Sequence, residues 1–516
     1  MCVSGQSTTQ RAGGENHWDF RFIRGYRCCD HGIELRQSAG EFKGKLQSRS
    51  VRWEYELFGC IFTDVNELRA IMPTPDRDDI DNMRYACQNR FGRVMPIRNP
   101  VECNSFYWWS IKRLQFFGYT SGLSFEEWIR STGYTRARKR LIEQSHGLST
   151  VESLEPNTKA FIKAEVYEEF KAARAINAYG DELNAVLAPY IKAVEKLVFC
   201  HHWFVKGLTN AQRDVKLSKF CGSVICTDFS SFEAHHYGVF NQLFVDFVEM
   251  LCPAIPKLFR QVVMAENNSK FHGASFKVNQ RLMSGAPWTS LQNTFLNFCV
   301  MQYLRRNDPR HDYFDDKLLV EGDDGISEEF EFDEHEIENL GLLLKIERHA
   351  DTTHASFCGR VVVDGCCLVN PRRVFGKLQV MWRRYYRFPM SIKLAIYKAK
   401  LLSYSDQYAG CPLVSEFCNA MLDSSLLTRV DERVAAKFMD SYERERFELV
   451  ERRFVETTVK TRVIFSELFG IGIKEQLSFE AVDHCRNSFV RLPFCWPDDW
   501  VSAYFQYGSN WDYASW

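Results

Sequence analysis

The sequence predicts an α/β fold of the α+β kind, and three features of its pattern predict it. Leu318-Leu319-Val320 reads as a short buried strand running into Glu321-Gly322-Asp323-Asp324-Gly325-Ile326. The two glycines mark a tight turn, so strand, turn and return strand form a hairpin. Residues 221–227, Cys-Gly-Ser-Val-Ile-Cys-Thr, form a second short apolar strand that delivers Asp228 to its end. Beyond 380 the chain reads as mainly helical, with amphipathic charge patterning at 430–460.

The elements follow in chain order. Residues 1–16 are polar and rich in Gly, Ser and Thr, which predicts a disordered tail. From 17 to 215 strand-like pieces mix with helical stretches such as Asp181–Val198. A helix is expected near 237–251, and 281–304 reads as a turn, Ser284-Gly285-Ala286-Pro287, opening a long helix. With 516 residues the chain can bury a large core and should divide into about two to four domains or subdomains. The lack of repeats or long linkers points to interwoven ones.

Composition excludes several classes. No apolar run approaches the ~20 residues of a membrane-spanning helix; the longest, near 283–304, is broken by Thr289, Gln292 and Asn293. The N-terminus has no signal-peptide pattern, and Cys2 in place of Gly argues against myristoylation. The 18 cysteines are scattered without a Cys-x-x-Cys pair, as expected of reduced thiols. Cys200-His201-His202 could contribute zinc ligands with Cys221 or Cys226, although the spacing matches no familiar zinc module. The net charge of −1 is no signature of nucleic-acid binding, so distribution matters more than the sum. Basic clusters fall at Arg136-Ala137-Arg138-Lys139-Arg140, at Arg372-Arg373 and at Arg383-Arg384-Tyr385-Tyr386-Arg387. The last interleaves Arg with Tyr, suited to phosphate contact plus stacking; the plainer reading of each is a solvated face.

The chemistry concentrates in carboxylates. Adjacent Asp323 and Asp324 repel one another at a hairpin tip, and a hard cation such as Mg²⁺ would neutralise them. A strand end brings Asp228 to the same sheet edge. Three carboxylates from two strands can hold two divalent cations ~3.5–4 Å apart, the arrangement used for in-line phosphoryl displacement. One metal activates an attacking hydroxyl while the other stabilises the leaving pyrophosphate. The plain alternatives are a surface turn and a strand-terminating Asp. On the helix opening near Pro287, Thr289, Asn293 and Asn297 share a polar stripe, with Trp288, Leu291, Phe295 and Phe298 supplying an apolar face. A buried polar stripe needs partners, and Glu233 or a ribose hydroxyl would serve.

The order Asp228-x4-Glu233, Ser284-Gly285-x3-Thr289-x3-Asn293, Gly322-Asp323-Asp324 resembles motifs A, B and C of viral RNA-dependent RNA polymerases. Lys159-Ala-Phe-Ile-Lys163-Ala-Glu165 with Lys171-Ala-Ala-Arg174-Ala-Ile176 is similar to motif F of positive-strand polymerases, above all tombusvirus-like and nodavirus-like ones. Gly341-Leu-Leu-Leu-Lys345-Ile-Glu347 resembles their motif D and Ser356-Phe357-Cys358-Gly359 their motif E. Gly133-Tyr134 with the basic run through Arg140 loosely resembles motif G, and 462–480 also looks like that branch. The resemblance spans about 130–480.

That resemblance implies a right hand of fingers, palm and mainly helical thumb, the palm an antiparallel sheet carrying the hairpin. It implies an N-terminal region and fingers at 17–215, palm at 216–236, a fingers insertion at 237–274, palm again at 275–370, and thumb with an aromatic tail at 371–516. Asp228, Asp323 and Asp324 would ligate two Mg²⁺ ions, with Mn²⁺ able to substitute, and Asp324 would be the more peripheral. Lys163, Lys171 and Arg174 would neutralise the incoming triphosphate and template phosphate, Arg174 lying closest to the triphosphate. Lys345 would protonate the leaving pyrophosphate. Ser284 and Gly285 would form a flexible loop resting on the template-side backbone, and Thr289 and Asn293 would continue the nucleotide and RNA contact surface.

One departure stands out: motif A usually ends in a second Asp, and here it is Glu233. Glu keeps the acceptor for Asn293 or a ribose 2′-hydroxyl but adds a methylene, so ribose selection is expected to persist. Reverse transcriptases place a bulky aromatic at this position, so an acid here favours RNA over DNA synthesis. The competing reading is a non-catalytic RNA-binding replication scaffold with a polymerase-like fold, against which stand the three carboxylates and the motif F cations. Implied partners are template and product RNA, NTPs and other viral replication proteins. Membrane recruitment would come only through partners, in a replication complex of the host cytoplasm. The aromatic segment Trp496 to Trp516 either packs on the thumb or enters the channel to stack on an initiating nucleotide.

Overall fold

The computed structural model describes the strands at 33–37, 55–57 and 61–63 and, from 75 to 500, all but 76, 78, 92–95, 147–155, 164, 166, 169–171, 272–273, 379, 383–384, 386–387, 439–446, 448–449, 451, 485–488 and 499. The expected tail at 1–16, Lys171, the arginines at 383, 384 and 387 and the aromatics beyond 500 lie outside the described residues. The fold is α+β, with helices packed around several mostly antiparallel sheets.

The central four-stranded sheet runs in the order Leu344–His349, Val224–Phe229, Asp324–Glu328, Leu318–Glu321, with every neighbouring pair antiparallel. Val224, Ile225, Cys226 and Thr227 are all buried, so the strand carrying Asp228 is covered on both faces. Against the sheet lies the helix Thr289–Arg305, in which every residue from Leu291 to Arg305 is buried. Asn293 and Asn297 of the polar stripe are thus buried and Thr289 is half-buried, so the stripe's polar groups need partners, as expected of a buried stripe. Phe295 stacks on Phe247 at 3.9 Å, which joins this helix to the helix Val239–Leu251.

A five-stranded sheet takes the order Ile33–Gln37, Ala274–Asn279, Glu266–Phe271, Asn157–Ile162, Ala175–Tyr179. Only Asn157–Ile162 beside Glu266–Phe271 is parallel. The expected boundary between 274 and 275 thus falls inside a strand, because Ala274–Asn279 pairs back on Glu266–Phe271. The helix expected at Asp181–Val198 runs Asp181–Phe199.

A second core gathers the short hairpin Val361–Val363 and Cys366–Leu368 with helices Pro371–Leu378, Met390–Gln407, Val414–Leu422, Val459–Phe469 and Ile473–Glu480. The helical charge pattern read at 430–460 does not give a long helix among the described residues. Glu432–Lys437 is a short 3₁₀ turn and 452–458 is irregular. Tertiary contacts override the local pattern: Arg452 pairs with Asp423 at 2.8 Å, and Thr457 donates to the Gly410 carbonyl at 2.8 Å. This core is tied to the rest of the chain at several points, among them Asp214 and Trp500. Buried Asp214 accepts from Arg360 at 2.5 Å and from Arg453 at 3.1 Å, and the Trp500 indole donates to the Glu168 carbonyl at 2.7 Å.

Candidate active site

The antiparallel register sets the site. Asp324 lies directly opposite Asp228 on one side of its strand, and Lys345 lies directly opposite Asp228 on the other. Residues facing across such a ladder stand only ~4.5–5.5 Å apart at Cβ, where like charges repel and opposite charges attract. Asp323 occupies the tip of a two-residue turn that closes Glu321 onto Asp324. Gly322, at φ +64°, takes the first position of this turn, where a side chain would be strained. Gly325, expected to mark the turn, belongs instead to the return strand. A Cβ there would come within 2.4 Å of Thr227 Oγ1, so its glycine serves the close approach of the Asp228 strand.

The buried helix behind the sheet holds this tip. Asn297 donates from Nδ2 to the carbonyls of Gly322 at 3.1 Å and Asp324 at 2.9 Å, and the Gly322 amide donates to Thr294 Oγ1 at 2.9 Å. Asn297 was legible as part of the polar stripe, without a role. Thr294 was missed; its position three residues before Asn297, facing the same hairpin, is the only signal.

Charge accumulates at the tip. Burial, then the neighbouring Glu233 and Asp228 charges, push the Asp323 carboxyl up to about 6. Burial, then Asp323, Asp228 and Glu321, push Asp324 up to about 7. Asp228, exposed at its strand end, is raised by desolvation against the opposing pull of Lys345. The Arg174 guanidinium favours the ionised forms of both Asp228 and Asp323, so it stands within electrostatic reach of the cluster. Lys345 pairs with Glu347 and is held above its ordinary range by that partner. It is exposed beside Asp228 and charged at neutral pH.

Behind Asp324, Glu321 forms an ion pair with Arg213, whose Nη2 donates to Oε1 at 3.1 Å, and accepts from the Cys358 thiol at 3.5 Å. Arg213 and Cys358 thus back the acidic tip.

The Lys163 and Arg174 segment forms one flank. The Lys163 amide donates to the Arg174 carbonyl at 2.8 Å, so the two residues close the hairpin of strands Asn157–Ile162 and Ala175–Tyr179. Between their side chains sits Glu165, 3.1 Å from Lys163 and 3.6 Å from Arg174. The Ser284-Gly285 turn is stitched to the same hairpin. Ser284 Oγ donates to the Ala175 carbonyl at 2.9 Å and the Gly285 amide to the Asn177 carbonyl at 3.1 Å. A Cβ at Gly285 would meet Ala178 Cα at 2.8 Å, which is why glycine stands there. Thr289 does not face outward: its hydroxyl lies 2.8 Å from the Met283 carbonyl and 2.9 Å from that of Ala286, tying the turn to the helix start.

Glu233 is buried and ion-paired to Arg90. The expected bond to Asn293 is absent; Asn293 is buried with Oδ1 unpartnered. The longer Glu side chain is drawn toward the guanidinium, which competes with a neutral amide on favourable terms.

Among the described residues no three His, Cys, Asp or Glu side chains form a ready-made metal cluster. For the zinc reading the geometry is adverse: His202 is engaged with the Asp315 carbonyl at 3.1 Å and His201 packs edge-on against Phe117. The three aspartates are brought to one sheet edge without closing on a common point. Their all-oxygen donor set and their raised protonation are what a hard divalent cation would relieve. No protein-family model matches this sequence, and no curated protein matches it either. Among the described residues no helix is long and apolar enough to cross a membrane.

Proposed function

We propose that the chain is an RNA-dependent RNA polymerase of a positive-strand RNA virus, joining nucleoside monophosphates from NTPs by two-metal nucleotidyl transfer. The observation that carries this reading is the register that sets Asp324 across from Asp228 with Asp323 at the adjoining turn, faced by the charge of Arg174. In this reading the four-stranded sheet is the palm, the five-stranded sheet belongs to the fingers, and the helical second core is the thumb. Asp228, Asp323 and Asp324 would hold two Mg²⁺ ions, which would lower the pKa of the RNA 3′-hydroxyl and stabilise charge on the leaving pyrophosphate. Arg174 and Lys163, released from Glu165, take the triphosphate, an electrostatic task in a water-poor site. Lys345 sits beside Asp228 with a proton to give to the departing pyrophosphate. Other replication proteins would recruit it to a membrane of the host cytoplasm.

The test is incorporation of labelled NTP on a primed RNA template with Mg²⁺, beside Asp323→Asn. Template-directed incorporation by the wild type and its loss in the variant support the reading. Absence of incorporation by both, with RNA still bound, would favour a non-catalytic RNA-binding scaffold.

A further inference from the structure

The helix Ile80–Phe91 reaches the active centre from far upstream in the sequence, outside the span of any recognisable motif. Its last turn is clipped to the segment that follows Asp228 at two points. Ser231, in a left-handed conformation at φ 52°, donates from Oγ to the Asn89 carbonyl at 3.1 Å. The Arg90 guanidinium forms an ion pair with Glu233, their side chains 20% and 10% exposed. The pair is single-pronged: Arg90 bonds through Nη2 to Oε1, and its Nε–H is buried with no partner. The pair engages Glu233 Oε1 and leaves Oε2 outside it, and buried Asn293 in the helix Thr289–Arg305 keeps an unpartnered Oδ1.

Glu233 adds repulsion at Asp323, so an unpaired charge there would load the cluster further. Arg90 supplies the counter-charge through Oε1 and leaves the second oxygen outside the pair. The extra methylene of Glu over Asp now has a structural reason: it carries the carboxylate out to the guanidinium.

We infer that Arg90 is a positioning residue for sugar selection, holding the Glu233 carboxylate by one oxygen and orienting it so that the other accepts from the 2′-hydroxyl of the incoming nucleotide. The inference rests on the polymerase reading. A 2′-deoxy substrate offers that oxygen no donor, so this contact is lost for the deoxynucleotide alone.

The experiment compares kcat and KM for an NTP and its 2′-deoxy counterpart on a primed RNA template, for wild type, Arg90→Ala, Arg90→Lys, Glu233→Ala and the Arg90→Ala/Glu233→Ala double variant. Arg90→Ala should lower kcat/KM for the NTP about tenfold, chiefly through KM, and leave the deoxynucleotide nearly unchanged. Arg90→Lys should restore most of the ratio, and the double variant should be no worse than Glu233→Ala alone. Arg90→Gln, which retains bulk and a donor, replaces the alanine variant if that one does not fold. An equal fall for both nucleotides would mark Arg90 as merely structural and overturn the inference. So would loss of discrimination in Glu233→Ala with full discrimination in Arg90→Ala, a result that leaves the polymerase reading intact. A wild type that incorporates neither nucleotide would remove that reading and this inference together.

Discussion

Replacing Asp323 with Asn should make the metal-free protein more stable at neutral pH while abolishing nucleotide incorporation. Burial and the charges of Glu233 and Asp228 raise the Asp323 carboxyl from 3.8 to about 6. A group whose folded value lies above its unfolded one contributes stability that is whole below 3.8 and is lost as pH rises through about 6. At ~1.36 kcal/mol per unit, a shift of about two units corresponds to about 3 kcal/mol of native-state cost above pH 7. Partial exposure and shared titration with Asp324 reduce the recoverable part to about 1–3 kcal/mol. Asn keeps the shape of the side chain and carries no charge, so that energy should appear as a rise in Tm on the order of a few degrees. The assay is thermal unfolding between pH 3.5 and 8, with and without Mg²⁺. The advantage of the variant should be largest near pH 8 and vanish below 3.8. Mg²⁺ should raise the wild-type Tm at pH 8 by linkage and do little for Asp323→Asn. A variant less stable than wild type at pH 8, or one stabilised by Mg²⁺ as strongly, would refute the argument that uncompensated carboxylates at this tip call for a cation.

Gly285→Ala should lose about 1–3 kcal/mol of stability, since its Cβ would stand 2.8 Å from Ala178 Cα and 2.9 Å from the Asn177 carbonyl, both backbone atoms; chemical denaturation measures it. Asn297→Ala should cost about 1–3 kcal/mol by chemical denaturation through the two carbonyls it leaves behind, and should also lower incorporation because it frees the whole tip. Trp500→Ala should cost about 3–5 kcal/mol and expose the segment around Glu168 to hydrogen exchange, given its full burial and its bond to that carbonyl.

Much of the centre was legible because its parts are local. A strand ending in Asp228, a glycine at Gly322 with two aspartates behind it, and a turn opening a long helix are short-range patterns governed by backbone geometry and burial. The misreadings share a cause. Gly325 looks like a turn residue by composition, yet its role is set by Thr227 on a different strand. Within the charge-patterned stretch 430–460, the described residues 452–458 are irregular, and there Arg452 and Thr457 are held by Asp423 and Gly410 from elsewhere in the chain. The polar stripe on the helix at 289–305 pointed to Glu233 or a ribose hydroxyl as partner, whereas Asn297 spends its amide on the hairpin.

The sequence by itself determined the inventory: which carboxylates exist, that two are adjacent at a turn, that a third ends a strand, and that cations stand upstream. Those facts follow from residue chemistry and from the periods of strand and helix. Only the tertiary structure decided who faces whom. Strand register put Asp324 across from Asp228 and Lys345 on its other side, and a helix some 140 residues away in sequence supplied Arg90 to Glu233. Pairings between distant segments depend on the packing of whole elements, and no local pattern encodes them.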